Sequence, residues 1–134
     1  MKVSWQLPTF EKTEFRGRTN RYCLVIPVIN EGERFHRQLE RVKPYTQLVD
    51  VIVADGGSTD NTADPKILKA TNVTTLLVKT GPGRLGAQYR MAYGYLLKQG
   101  YRGAVNMDGN GKDGPEAIPT FLSYLDRSFD YIQG

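Results

Sequence analysis

Cysteine, histidine and tryptophan occur once each, as Cys23, His36 and Trp5. A lone thiol excludes an internal disulfide, and Cys23 lies in a strand-like apolar run where a small buried thiol is the usual occupant. His36 falls in a charged stretch and reads as a solvated helix position rather than a ligand. Long apolar runs are missing as well. The longest, Cys23 to Ile29, is broken by Pro27 and falls far short of the ~20 residues that cross a bilayer. The opening Met1-Lys2-Val3-Ser4-Trp5-Gln6 lacks the apolar stretch of a secretory signal, so a cytoplasmic location is expected, with the membrane surface left open. Nor is there a dense basic cluster. Lys and Arg number 18 against 14 Asp and Glu, a net charge of +4 spread along the chain. That spread argues against nucleic acid and suits a phosphorylated small molecule.

What is present is ordinary for one folded unit. At 134 residues, with 40% hydrophobic and 24% charged residues, the chain fits a single domain with one core. Residues 1–20 show neither helical nor strand periodicity and read as an amino-terminal arm, leaving 21–134 as the folded part. Apolar, β-prone runs at Tyr22 to Ile26, Leu48 to Ala54, Val73 to Val78 and Ala104 to Met107 predict strands, and Phe129 to Ile132 starts a fifth. Between them lie predicted helices. Glu31 to Lys43 carries Phe35, Leu39 and Val42 on one face and is ended by Pro44; Asp60 to Ala70 is interrupted by Pro65. Gly86 to Lys98 turns Met91, Tyr95 and Leu96 inward, and Glu116 to Leu125 spaces Ile118, Phe121, Leu122 and Leu125 helically. Strands alternating with helices predict an α/β fold, a mostly parallel sheet with helices on both faces and a ligand at the carboxyl ends of the strands.

Three predicted strands stop in polar or glycine-rich loops. These are Pro27-Val28-Ile29-Asn30-Glu31, the stretch Asp55 to Thr62, and the stretch Asp108 to Glu116. Each alone has an ordinary structural explanation: Asn30 and Asp60 suit helix caps, and glycines suit sharp turns. Together, on one edge of one sheet, they make a ligand site. Asp108 and Asn110 lie close enough in sequence to aim oxygens at one hard cation whose other ligands are phosphate and water. An ion held there neutralises a leaving diphosphate.

The series Val25-Ile26-Pro27-Val28-Ile29-Asn30-Glu31, Val51 to Asp60, Gly83-Arg84-Leu85-Gly86-Ala87 and Asn106-Met107-Asp108-Gly109-Asn110 resembles the amino-terminal half of family 2 glycosyltransferases. All four motifs come in that family's order, and the likeness extends over Tyr22 to Gly134. Pro115-Glu116 after the last motif is similar to the polyprenyl-phosphate sugar synthases in particular. The resemblance implies a GT-A fold with its Rossmann-like nucleotide-binding half, a nucleotide-diphospho-sugar donor, Mg2+ or Mn2+, and inversion at the anomeric carbon. It implies that Pro27, Asn30 and Glu31 line the nucleoside pocket, that Asp55 accepts from the base, and that Asp108 holds the metal and the donor's ribose or phosphates, with Asn110 as second ligand. Arg84 is the basic group it suggests for the diphosphate. Two positions depart from the family pattern: its Asp-Asp-Gly-Ser motif has a second acid where this chain has Gly56, and its Asp-x-Asp has one where this chain has Asn110. An amide oxygen ligates without charge, so weaker metal binding is expected.

A rival reading takes Gly81-Pro82-Gly83-Arg84-Leu85-Gly86 as a dinucleotide fingerprint, with Asp108 as the ribose-binding acid after the next strand. Against it, that fingerprint normally opens the first βα turn, and here two strands and two helices precede it. A non-catalytic nucleotide-binding fragment is the remaining alternative. No general base has a match; the resemblance implies that it and the acceptor wall belong to a half following a segment like Tyr131-Ile132-Gln133-Gly134. The chain alone is therefore expected to bind donor without transferring sugar. The acceptor stays open between a lipid phosphate and a saccharide.

Overall fold

The computed structural model describes residues 9–111 and 114–128. Five strands form one sheet: β1 (Phe10–Glu14), β2 (Tyr22–Val28), β3 (Asp50–Asp55), β4 (Thr75–Lys79) and β5 (Gly103–Asn106), in the order β1-β4-β3-β2-β5. Neighbours among β4, β3, β2 and β5 run parallel, and β1 closes one edge antiparallel to β4. Three helices connect the parallel strands, α1 (Glu33–Val42), α2 (Pro65–Ala70) and α3 (Leu85–Lys98), and α4 (Ile118–Ser128) follows β5. None of them is long and apolar enough to cross a membrane.

Alternation along the central strands divides the core in two. Leu24, Ile26, Val51, Val53 and Leu76 face one side and pack with α1, α2 and α4; Cys23, Val25, Ile52, Ala54 and Leu77 face α3 on the other. Helices thus cover both faces, as the continuous apolar strands require. Phe35, Leu39 and Val42 of α1 are fully buried, each removal from water stabilising the fold by about 1.5–3 kcal/mol. Met91, Tyr95 and Leu96 of α3 are buried too. Burial pushes the Cys23 thiol far above its ordinary range, which makes it an inert packing group.

Four expectations change. The arm is not all loop, because Phe10–Glu14 is β1, its register running from Phe10 opposite Lys79 to Glu14 opposite Thr75. An edge strand exposed along four of its five residues carries no apolar alternation, so only the main-chain ladder with β4 reveals it. Pro65 does not interrupt a helix but starts one: Asp64 caps α2 by accepting from Lys66 N at 3.0 Å, with proline at the first helical position. Pro44 does not end the helical path at once, since a 3₁₀ turn over Lys43–Tyr45 continues from α1. His36 is not simply solvated, for its Nε2 lies 3.1 Å from the Thr62 carbonyl. The strand expected at Phe129 to Ile132 lies outside the described residues.

The amino-terminal edge of the sheet is built around one carboxylate. Asp50 is 2% exposed and accepts from Thr19 N (3.0 Å), Thr19 Oγ1 (2.9 Å), Asn20 Nδ2 (2.8 Å) and Tyr101 OH (2.6 Å). Those bonds tie the segment after β1 to the start of β3.

Candidate functional site

Pro27 sits inside a buried strand, where a missing N–H is normally costly. Here β5 pairs with β2 only from Tyr22 to Val25, so Pro27 faces no ladder on that side. Past Met107, whose N–H still bonds Val25 O at 3.0 Å, the chain peels away and crosses the end of β2 at Gly109. A Cβ at Gly109 would collide with Val28 Cγ1 and stand 2.8 Å from Pro27 O, so glycine alone permits the crossing. Gln38 of α1, 1% exposed, donates to Asp108 O at 2.9 Å and fixes the loop from the other side.

The loops after β2 and β3 are riveted by two relays of the same design. Asn30 N donates to Ser58 Oγ (2.9 Å), which donates to Asp55 Oδ1 (2.5 Å); Gly32 N donates to Thr62 Oγ1 (2.8 Å), which donates to Asp60 Oδ1 (2.5 Å). In each, a hydroxyl passes polarisation from a backbone N–H to a carboxylate, an arrangement in which bonds strengthen one another. Asp55 Oδ2 also accepts from Gly57 N (3.0 Å) and Ser58 N (2.9 Å). Asn30, in a left-handed conformation with φ 49, accepts Thr59 N through Oδ1 at 2.8 Å. Asn30 and Asp60 are therefore not helix caps, and most of the polar atoms in these motifs hold the two loops in register.

The Asp60 carboxyl lies below its ordinary value of 3.8, first through the Thr62 hydroxyl bond and then the Thr62 amide. A lowered folded-state pKa favours the folded loop above the ordinary value and loses that contribution as pH falls through the folded one. The Thr62 relay is thus expected to hold at pH 5 and to open only below the usual aspartate range. An NMR titration of the Thr62 amide checks this, and a midpoint at or above 3.8 would contradict it.

Beyond the rivets a cleft of about 380 Å³ opens at the carboxyl edge of the sheet, and Pro27, Glu31, Gly56, Arg84, Gln88 and Asp108 are among its lining. The structure thus brings Pro27, Glu31, Arg84 and Asp108 together, while Asn30, Asp55 and Asn110 flank the cleft without lining it. Glu31 Oε2 lies 2.9 Å from Arg34 Nη2. Arg84 and Asp108 are exposed. No side chain caps the start of α3 and no acid occupies its first turn, so its partial positive charge is open to an anion. Sequence reasoning missed Gln88, a buried helix residue whose polarity at an inward position was the available signal. A larger cleft, about 510 Å³, opens at the opposite edge beside Arg21, Tyr22 and Asp126 and contains none of the motif residues.

The dinucleotide reading fails on strand order. Its acid belongs at the end of the strand beside the fingerprint strand, but β3 and β2 separate β4, which precedes Gly81, from β5, which precedes Asp108.

No protein-family model matches the chain. It is 31% identical over 119 residues to the polyprenol monophosphomannose synthase of Mycolicibacterium smegmatis, covering 87% of this chain and 45% of that protein. It is 31% identical over 116 residues to the undecaprenyl-phosphate mannosyltransferase of Micrococcus luteus, covering 85% and 47%. Its fold matches the glucosyl-3-phosphoglycerate synthase of Mycobacterium tuberculosis, solved with Mn2+, uridine diphosphate and glucosyl-3-phosphoglycerate, at a TM-score of 0.58 and 21% identity over 78% of this chain and 39% of that one. The chain is thus similar in sequence to polyprenyl-phosphate sugar transferases, spanning less than half the length of those relatives, and shares the GT-A fold of a solved glycosyltransferase.

Proposed function

We propose that this chain is the donor-binding part of an inverting glycosyltransferase that passes a sugar from a nucleoside diphosphate to a polyprenyl phosphate. One observation carries the reading: a single cleft at the carboxyl edge joins the Asp108 carboxylate, the Arg84 guanidinium and the uncapped start of α3. A carboxylate for a cation beside two positive groups is the set a diphosphate needs. Pro27 and Glu31 form the neighbouring wall for the nucleoside, and Asn30 and Asp55 act through the loops they rivet.

The donor set fits a magnesium or manganese ion, with limits. Asp108 offers a carboxylate in the cleft, Asn110 stands outside its lining, and no group of three or more His, Cys, Asp or Glu gathers among the described residues. Most ligands would have to come from the diphosphate and water, which suits a metal carried in with the donor. When bound, such an ion supplies charge neutralisation for the departing diphosphate. Arg84 and the α3 start contribute to the same end as fixed positive groups. A phosphate acceptor is already an anion at neutral pH, its second pKa being about 6, so its attack on the anomeric carbon needs no general base. That removes the requirement for which the motifs hold no residue. The names of the relatives support the acceptor class.

Calorimetry with uridine and guanosine diphosphate, each with Mn2+, tests the reading. One of the two is expected to bind with the metal present and more weakly without it. Absence of heat with both at millimolar concentration, on folded protein, would sink the proposal.

A further inference from the structure

We propose that Gln88 is a positioning residue of the cleft, and that glycine is favoured at position 56 because the Gln88 carboxamide crowds the place its side chain would take; this rests on the donor-site reading above. Gln88 projects from α3 beneath the ends of β2 and β3 and is 5% exposed. Its Nε2 donates to Val28 O at 3.0 Å and to Ala54 O at 2.9 Å. Val28 O also takes Gly56 N at 2.8 Å, so the amide completes the hydrogen bonding where the two strands part. With both amide hydrogens used, the group cannot flip, for a flipped amide would set Oε1 against two carbonyl oxygens.

That fixed amide lies against Gly56. A Cβ there would stand 3.0 Å from Gln88 Cδ, 3.1 Å from Oε1 and 3.2 Å from Nε2. A free side chain could yield by the few tenths of an ångström required, but one held by two hydrogen bonds to backbone gives way only by straining them. The amide couples the loop bearing Pro27 and Glu31 to the loop bearing Gly56, and thereby sets the geometry of the cleft floor. Because the coupling runs through neutral groups, it persists across the pH range in which the loop carboxylates titrate.

A double-substitution cycle on nucleoside diphosphate affinity, with Mn2+ present and uridine and guanosine diphosphate both used as probes, tests this. Gln88→Ala is expected to weaken binding about tenfold and Gly56→Ala several-fold. The double variant is expected to match Gln88→Ala within about twofold, because alanine at 56 then no longer meets the carboxamide. Gln88→Met, which keeps the volume and removes both donated bonds, is expected to bind as weakly as the alanine variant. Circular dichroism and melting on each sample separate loss of affinity from loss of fold, and the methionine variant provides the reading if alanine fails to fold. Losses that multiply in the double variant, or parental affinity in a folded Gln88→Met, would overturn the assignment of Gln88 alone. No binding by the parent chain would overturn the donor reading and this inference together.

Discussion

Replacing Asp108 by alanine is expected to cut Mn2+-supported nucleoside diphosphate binding by about 10- to 100-fold, the equivalent of one charged interaction of about 1.5–3 kcal/mol, while metal-free binding stays near the parental value. Asp108 lines the cleft with Arg84, the second acid there, Glu31, is paired with Arg34, and the neutral Asn110 cannot replace the lost charge. The position of the carboxylate matters as much as its presence. Gly109→Ala leaves Asp108 intact but drives a methyl group into Val28 Cγ1 and toward Pro27 O, so the loop must rise off β2. It should reproduce most of the Asp108→Ala loss without removing a charge. Titration of each variant with and without Mn2+ is the measurement. Parental metal dependence in Asp108→Ala would mean that the metal is held elsewhere.

The largest loss of stability is expected at the opposite edge of the sheet, far from the cleft. Asp50→Ala removes the acceptor for Thr19 N, Thr19 Oγ1, Asn20 Nδ2 and Tyr101 OH. Hydrogen bonds to a charged group contribute about 1.5–3 kcal/mol each but do not add, and leaving buried donors unpaired has its own cost. A total of about 3–5 kcal/mol is expected, a large share of the stability of a small domain. Asp50→Asn, which can accept through only one oxygen, should fall between parent and alanine. The urea midpoint reads both. The Tyr101 hydroxyl is held well above the ordinary tyrosine range, by burial first and by Asp50 second. A raised folded-state pKa of this kind contributes stability that is present below the ordinary value of 10.0 and lost as pH rises beyond it. Burial raises the hydroxyl in Asp50→Ala as well, so the stability deficit should narrow only at pH values high enough to ionise Tyr101 in the folded variant while Asp50 still keeps it protonated in the parent.

Several site features owe their form to contacts that no local pattern encodes. Asp55 and Asn30 stand in motifs that signal a ligand site, yet the Asp55 carboxylate takes two backbone N–H groups and the Ser58 hydroxyl, and the Asn30 amide oxygen takes Thr59 N. The motif pointed to the edge of the sheet where the cleft opens. It did not separate residues that line the cleft from residues that hold its walls. Gln88 shows the converse: it belongs to no polar motif, and its role follows from two carbonyls contributed by strands 60 and 34 positions away in sequence.

From its sequence alone the chain was determined to be α/β, with its central strands buried, its helices on two faces and its polar loops on one carboxyl edge, because burial imprints a period of two or 3.6 on neighbouring residues. Phe35, Leu39 and Val42 on α1 and the apolar runs of β2 and β3 were legible for that reason. Only the tertiary structure decided that β5 lies beside β2 rather than β4, which sets Asp108 over Pro27 and removes the dinucleotide reading. It likewise decided that Phe10–Glu14 is a strand, that paired hydroxyl relays consume the loop carboxylates, and that Gln88 stands where Gly56 has no side chain. Each of these depends on which distant segments meet, and strand order and long-range hydrogen bonds leave no periodic mark on the residues that make them.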